Sequence, residues 1–196
     1  AGASLQAAGL VESGAASIAF NISGGLHHAL AAQASGFCYI NALAVAIRVI
    51  QRDGAVRRAA VVDCDVHQGN GTAAIFAADR EVATLSLHGE RNYPLVKPPS
   101  TRDVGLADGV GDEEYLAVLG RELAAALEAA SPEIVFYVAG VDVVDVAVLH
   151  LGEDRGEDVE RARRLGRAGG AGHVVDGEAG EEGGGERGGG AGAAEE

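Results

Sequence analysis

The chain has 196 residues and a formal net charge of −14, so it is one domain's worth of sequence with room for a real core. Its acidity, without any basic stripe, argues against nucleic acid as a direct partner. No apolar run reaches the ~18 residues of a membrane span, and the N-terminus lacks the charged-then-apolar order of a signal peptide, which predicts a cytoplasmic protein. Cys38 and Cys64 are lone thiols outside any C-x-x-C spacing, so buried packing is their expected role.

In chain order, residues 4–14 read as a short helix and Ala16 to Asn21 as a strand. Ser23-Gly24-Gly25-Leu26-His27-His28 then sets two adjacent histidines behind paired glycines, where the backbone can come close to a neighbour. Ser35-Gly36-Phe37-Cys38 is a turn, and residues 41–52 form a helix apolar on nearly every side, hence buried. The run Ala59-Ala60-Val61-Val62 predicts a buried strand that leads into Asp63-Cys64-Asp65-Val66-His67-Gln68-Gly69-Asn70-Gly71-Thr72. If the extended backbone continues, Asp63, Asp65 and His67 share one face.

Residues 71–78 should open the next helix, and Val82 to Leu87 should form a strand that ends at His88, itself a surface or loop residue. Three of the four prolines make 89–100 a loop. Asp103 to Leu106 reads as a brief strand. Residues 112–130 form the clearest helix, with Asp112 as its cap and Tyr115, Leu116, Leu119, Leu123 and Leu127 as its apolar stripe. Glu133 to Ala139 is a third strong strand, closing on Gly140-Val141-Asp142. Alternating strands and helices predict a three-layer α/β fold with a mostly parallel sheet. Residues 1–145 carry that pattern, whereas 146–196 are a Gly/Glu/Arg-rich tail too poor in apolar surface to offset ordering entropy, and disorder is expected there.

Asp65 and His67 beyond one strand, Asp142 beyond another and the His27-His28 pair in a glycine loop make up a mixed carboxylate–imidazole set. Such a set suits a catalytic zinc with an open position. Hydrolysis of an unactivated amide needs that Lewis acid together with a general base.

The motifs GGLHHA, SGFCYIN, VVDCDVHQGNGT, TLSLHGERNYP, DGVGDEEYL and FYVAGVD, in this order over roughly residues 5–145, resemble the zinc-dependent histone deacetylase superfamily, above all its bacterial and class IV-like members. The resemblance implies an arginase/deacetylase-type fold, here incomplete, and removal of acetyl or other acyl groups from lysine or other amines. It implies that Asp65, His67 and Asp142 bind Zn²⁺ and that His27 and His28 are the catalytic dyad, with His28 the general base. Asp63 would orient His27, and Asn70 would stand behind His28. Gly36 and Phe37 would wall the acyl-lysine tunnel. A structural monovalent cation, K⁺ in type, would sit at Asp63, Asp65, His67, Ser86 and Leu87, and a second near Phe76 and Val82. The substrate would be an acylated protein or a small acylated amine.

The family continues beyond the third zinc ligand to a Gly-Gly-Gly-Tyr (or His) loop whose hydroxyl helps to bind the developing oxyanion. Here Gly183-Gly184-Gly185 leads to Glu186, Gly188-Gly189-Gly190 leads to Ala191, and no tyrosine follows Tyr137. The resemblance therefore implies a domain truncated at both ends, with impaired deacetylation. The tail's composition is that expected of a shifted frame in a GC-rich gene, which sequencing the locus would show. The alternatives are a non-catalytic zinc-binding remnant and an arginase-like ureohydrolase. The latter needs a second bridging carboxylate where this chain has Gly69, so one metal is expected.

Overall fold

The computed structural model describes residues 1–140 and Asp142. The expectation of a disordered tail over 146–196 falls outside them. Helix α1 (Gly2–Glu12) is followed by an irregular segment, then α2 (Ala42–Arg52), β1 (Ala59–Asp63), α3 (Asn70–Phe76), β2 (Val82–Gly89), β3 (Arg102–Leu106), α4 (Asp112–Ala130) and β4 (Ile134–Val138). The strands form one sheet in the order β3-β2-β1-β4, and every pairing is parallel.

β1 is buried at all five positions because it has a strand on each side and helices over both faces. A strand covered on both faces reads as a continuous apolar run rather than an alternation. Its residues divide between two cores. Val61 joins Val82, Ile134 and Val138 beneath α1, α2 and Phe76 of α3. Val62 joins Leu85, Leu87 and Cys64 against α4. The arrangement is helix–sheet–helix, as the sequence predicts.

Chain order sets the place of the site. From β1 the sheet grows outward through β2 and β3. The chain then returns over α4 and lays β4 on the other side of β1. The direction of growth reverses between β1 and β4, and the carboxyl ends of strands at such a point form a ligand crevice. Asp63 ends β1, and Asp142 follows β4 by four residues.

Four local expectations are corrected. Residues 16–21 form no strand. Both edges of β1 are taken, and Ile18, Phe20 and Ile22 point into solvent rather than into a sheet. Gly111, not Asp112, caps α4, and Asp112 is instead one of three acids in its first turn. Leu116 is exposed, while Val118 and Ala126 join Tyr115, Leu119 and Leu123 against the sheet. His88 is neither at the surface nor in a loop: β2 runs on to Gly89, and His88 lies buried within it, with Ser86 Oγ 2.9 Å from its Nδ1.

The α2 side of the sheet depends on Ile47, which is wholly buried in the larger core. Ile47→Ala is expected to cost about 2–5 kcal/mol in chemical denaturation, the range for emptying a packed aliphatic site.

Candidate active site

After Asp63 the chain leaves the strand and bends, so the expected alternation of Asp63, Asp65 and His67 along an extended backbone does not hold. Two carboxylates make the bend: Asp63 Oδ1 accepts from Asp65 N at 3.1 Å, and Asp65 Oδ1 accepts from His67 N at 2.8 Å. Aspartates that bond the backbone two residues ahead favour turns over strand. Cys64 N still bonds Val138 O of β4 at 3.0 Å, and Gly89 N bonds Val66 O at 2.9 Å, so the turn stays tied to both neighbouring strands.

The bend gathers three ligand-bearing groups. Atoms of Asp65, His67 and Asp142 lie within 4.8 Å of one another. His67 Nδ1 stands 2.9 Å from Asp142 Oδ2 and 3.1 Å from Asp65 Oδ1, so a single imidazole nitrogen faces both carboxylates. Asp142 Oδ1 also accepts from Val66 N at 3.3 Å. Gly140, at φ +48°, makes this approach possible, because a side chain there would collide with the backbone of Asp65. Two hard oxygens and one imidazole nitrogen, partly open to solvent, fit a divalent cation with a free coordination position.

The histidine pair stands beside this group. His27 Nδ1 donates to Asp63 Oδ2 at 2.6 Å, and His27 Nε2 lies 3.7 Å from Asp65 Oδ1. His28 Nδ1 donates to Asn70 Oδ1 at 2.7 Å. The two rings are 4.1 Å apart, and that of His28 is 5.9 Å from that of His67. Both histidines are buried, and their partners differ in charge. Burial opposes a charged His27, but the hydrogen bond and charge of Asp63, helped by Asp65 and Asp142, outweigh it and raise its pKa above 6.5. Burial and the neighbouring His27 push His28 below 6.5, and neutral Asn70 offsets them only in part.

The remaining expected residues are placed as follows. Gly36, at φ +51°, packs so close to His28 that a side chain there would enter its ring, and Phe37 is fully exposed. Ser86 sits opposite Asp63 in the register with its hydroxyl hydrogen-bonded to His88, while Leu87 is buried against α4. Phe76 and Val82 lie within the larger core.

Two residues of the site are not among the sequence expectations. The Tyr93 ring is edge-on to His28 at 5.0 Å and to His67 at 6.2 Å, and its hydroxyl is 2.8 Å from Ser35 Oγ. An aromatic inside the proline-rich loop is the signal that points to it. Gln68, with no exposed surface, donates from Nε2 to Pro98 O and to Asp103 Oδ1, each at 2.8 Å. It fastens the loop bearing Tyr93 to the turn bearing His67.

The family model of the histone deacetylase domain matches residues 1–150. The chain belongs to the histone deacetylase family. It is 45% identical over 140 residues to an uncharacterized protein of Picosynechococcus, covering 71% of this chain and 45% of that protein. It is 37% identical over 134 residues to a probable deacetylase of Methanothermobacter thermautotrophicus, covering 59% of this chain and 39% of the relative. A histone deacetylase-like amidohydrolase of Pseudomonas aeruginosa is 34% identical over 155 residues, covering 72% and 40%. The crystal structure of the HDA15 HD domain matches the fold with a TM-score of 0.60 at 30% identity, over 71% of this chain and 44% of that one. This histone deacetylase-family chain thus spans less than half the length of each of these proteins, and its sheet is an incomplete version of the arginase/deacetylase fold. No helix among the described residues is long and apolar enough to cross a membrane.

The opposed histidine environments give a measurable difference in the metal-free chain. By NMR titration His27 is expected to lose its proton above pH 6.5 and His28 below it. The stability contributed by His27–Asp63 is then full below pH 6.5 and is lost as pH rises through the raised His27 value. His28 acts in the opposite sense, its contribution being lost as pH falls below 6.5. Asp63→Asn is expected to bring the His27 titration below that of the parent chain. An unmoved His27 would show that Asp63 does not set its charge.

Proposed function

We propose that this chain carries a zinc-dependent deacylase site, which removes acetyl or other acyl groups from lysine side chains or other amines. The observation that carries the reading is the convergence of Asp65, His67 and Asp142 beside two histidines held by unlike partners. Bound to these three ligands, zinc would act as a Lewis acid on the acyl carbonyl. A nearby base must then take a proton from water.

His28 suits that task. Its Nδ1 is committed to Asn70 Oδ1, which leaves Nε2 free, and its lowered pKa keeps it unprotonated at neutral pH. His27 suits the opposite one: with Nδ1 held by Asp63, it binds a proton more tightly than a free imidazole does. Two titratable groups whose surroundings drive their pKa values apart are the usual form of an acid–base pair. Gly36, Phe37 and Tyr93 would flank the incoming acyl-amine arm. The turn from Asp63 to His67, with Ser86 and Leu87 on β2, is proposed to hold the structural monovalent cation.

A single metal is favoured over the two of a ureohydrolase. Position 69 is glycine, and a side chain there would strike Asp63 Oδ2 and crowd His27, so no further carboxylate is accommodated.

The test is turnover of an acetyl-lysine peptide by the zinc-loaded chain. His28→Ala is expected to lower kcat by about 10²-fold or more while zinc stays bound, whereas His67→Ala is expected to lose the zinc itself. Turnover that survives His28→Ala would contradict the assignment. A chain that binds zinc but gives no turnover with any acyl-lysine would support the non-catalytic alternative.

A further inference from the structure

We propose that Asn41 is a positioning residue for the His27–His28 pair, acting through Thr72, and not a helix cap alone. Its side chain is buried at the point where α2, α3 and the histidine loop meet. Oδ1 caps α2 by accepting from Ala44 N at 3.0 Å. That bond fixes which end of the amide faces the loop. Nδ2 donates to Thr72 Oγ1 at 3.0 Å and to Ala29 O at 3.3 Å, with His27 O at 3.5 Å.

Thr72 completes the link. Having accepted from Asn41, its hydroxyl is oriented to donate to His27 O at 3.4 Å, and its backbone N–H donates to the same oxygen at 3.0 Å. The carbonyls of His27 and Ala29 are therefore both held, one on each side of His28. Fixing both fixes the direction in which the His28 side chain leaves the backbone. Gly71 packs against His28 and Ala29 from the α3 side with no room for a side chain, so the loop is gripped from two elements. Asn70, one residue earlier on α3, takes the His28 ring. Rings 4.1 Å apart that serve different steps tolerate little displacement, and misplacement by about 1 Å can cost roughly 10²-fold in rate.

Two substitutions separate capping from positioning. Asn41→Asp keeps an acceptor for Ala44 N, since aspartate is a good cap, but sets a second oxygen against Ala29 O and Thr72 where a donor stood. Thr72→Val removes the relaying hydroxyl at nearly constant shape, and Thr72→Ser keeps it. Hydrogen exchange of the full chain, read by mass spectrometry with and without zinc, supplies a signal that does not depend on turnover. In Asn41→Asp, exchange in residues 26–30 and 70–73 is expected to speed up about tenfold, the equivalent of one net hydrogen bond. Protection of residues 42–52 and zinc affinity should stay within about twofold of the parent. Thr72→Val should move the same two segments, and Thr72→Ser should not.

The effect on turnover rests on the deacylase reading: kcat is expected to fall about ten- to a hundredfold in Asn41→Asp with KM within about twofold. If Asn41→Asp fails to fold, the Thr72 pair decides. Unchanged exchange in residues 26–30 and 70–73 in both Asn41→Asp and Thr72→Val, with only Asn41→Ala fraying α2, would overturn the proposal and leave Asn41 as a cap. Absence of turnover in the parent chain would count against the deacylase reading and leave the exchange comparison intact.

Discussion

The carboxylate of Asp63 is the group on which the rest of the site depends. It is buried at the end of the central strand, where an unpaired charge would cost several kcal/mol. Both oxygens are therefore committed. Oδ2 receives His27, and Oδ1 receives the Asp65 amide. The first bond raises the His27 pKa. The second turns the chain out of the sheet and brings Asp65 and His67 toward Asp142. One side chain thus raises the His27 pKa and shapes the turn that carries Asp65 and His67.

The sheet explains why this carboxylate stands where it can do both. β1 lies between β2 and β4, so three parallel strands end side by side at the point where the order reverses. Backbone bonds from Cys64 to β4 and from Gly89 to Val66 carry the sheet's rigidity into the turn. Among the described residues no strand pairs with the histidine loop. Its position comes from the Thr72 backbone amide and from side chains: Asp63 below, Asn70 and Thr72 on α3, and Asn41 at the head of α2. Gln68 does the same for the loop that carries Tyr93.

How much of this is legible in the sequence follows from the range of each interaction. β1, β2, β4 and the long α4 are written in local runs of apolar residues, and their ends fall within a residue or two of the sequence expectation. The ligand candidates stand out because aspartates and a histidine cluster at strand ends, and the histidine pair because it follows paired glycines. Legibility ends where tertiary contacts decide. The Ile18–Phe20–Ile22 alternation looks like a strand, yet nothing in it reveals that β1 has no free edge. The pattern Asp63–Asp65–His67 looks extended, but the carboxylates take up backbone amides and bend it. His88 resembles a residue that ends a strand, although β2 continues through it. The hold of Asn41 and Gln68 on the loops shows in no local pattern, since it lies in contacts 12 to 35 residues away.

The most direct test of this account is a metal titration of the purified chain, followed by X-ray absorption at the zinc edge. The account predicts one zinc per chain with oxygen and nitrogen ligands, one of them imidazole, and loss of that zinc in Asp142→Ala. A sulfur ligand from Cys38 or Cys64, a second equivalent of metal, or zinc binding untouched by Asp142→Ala would contradict it.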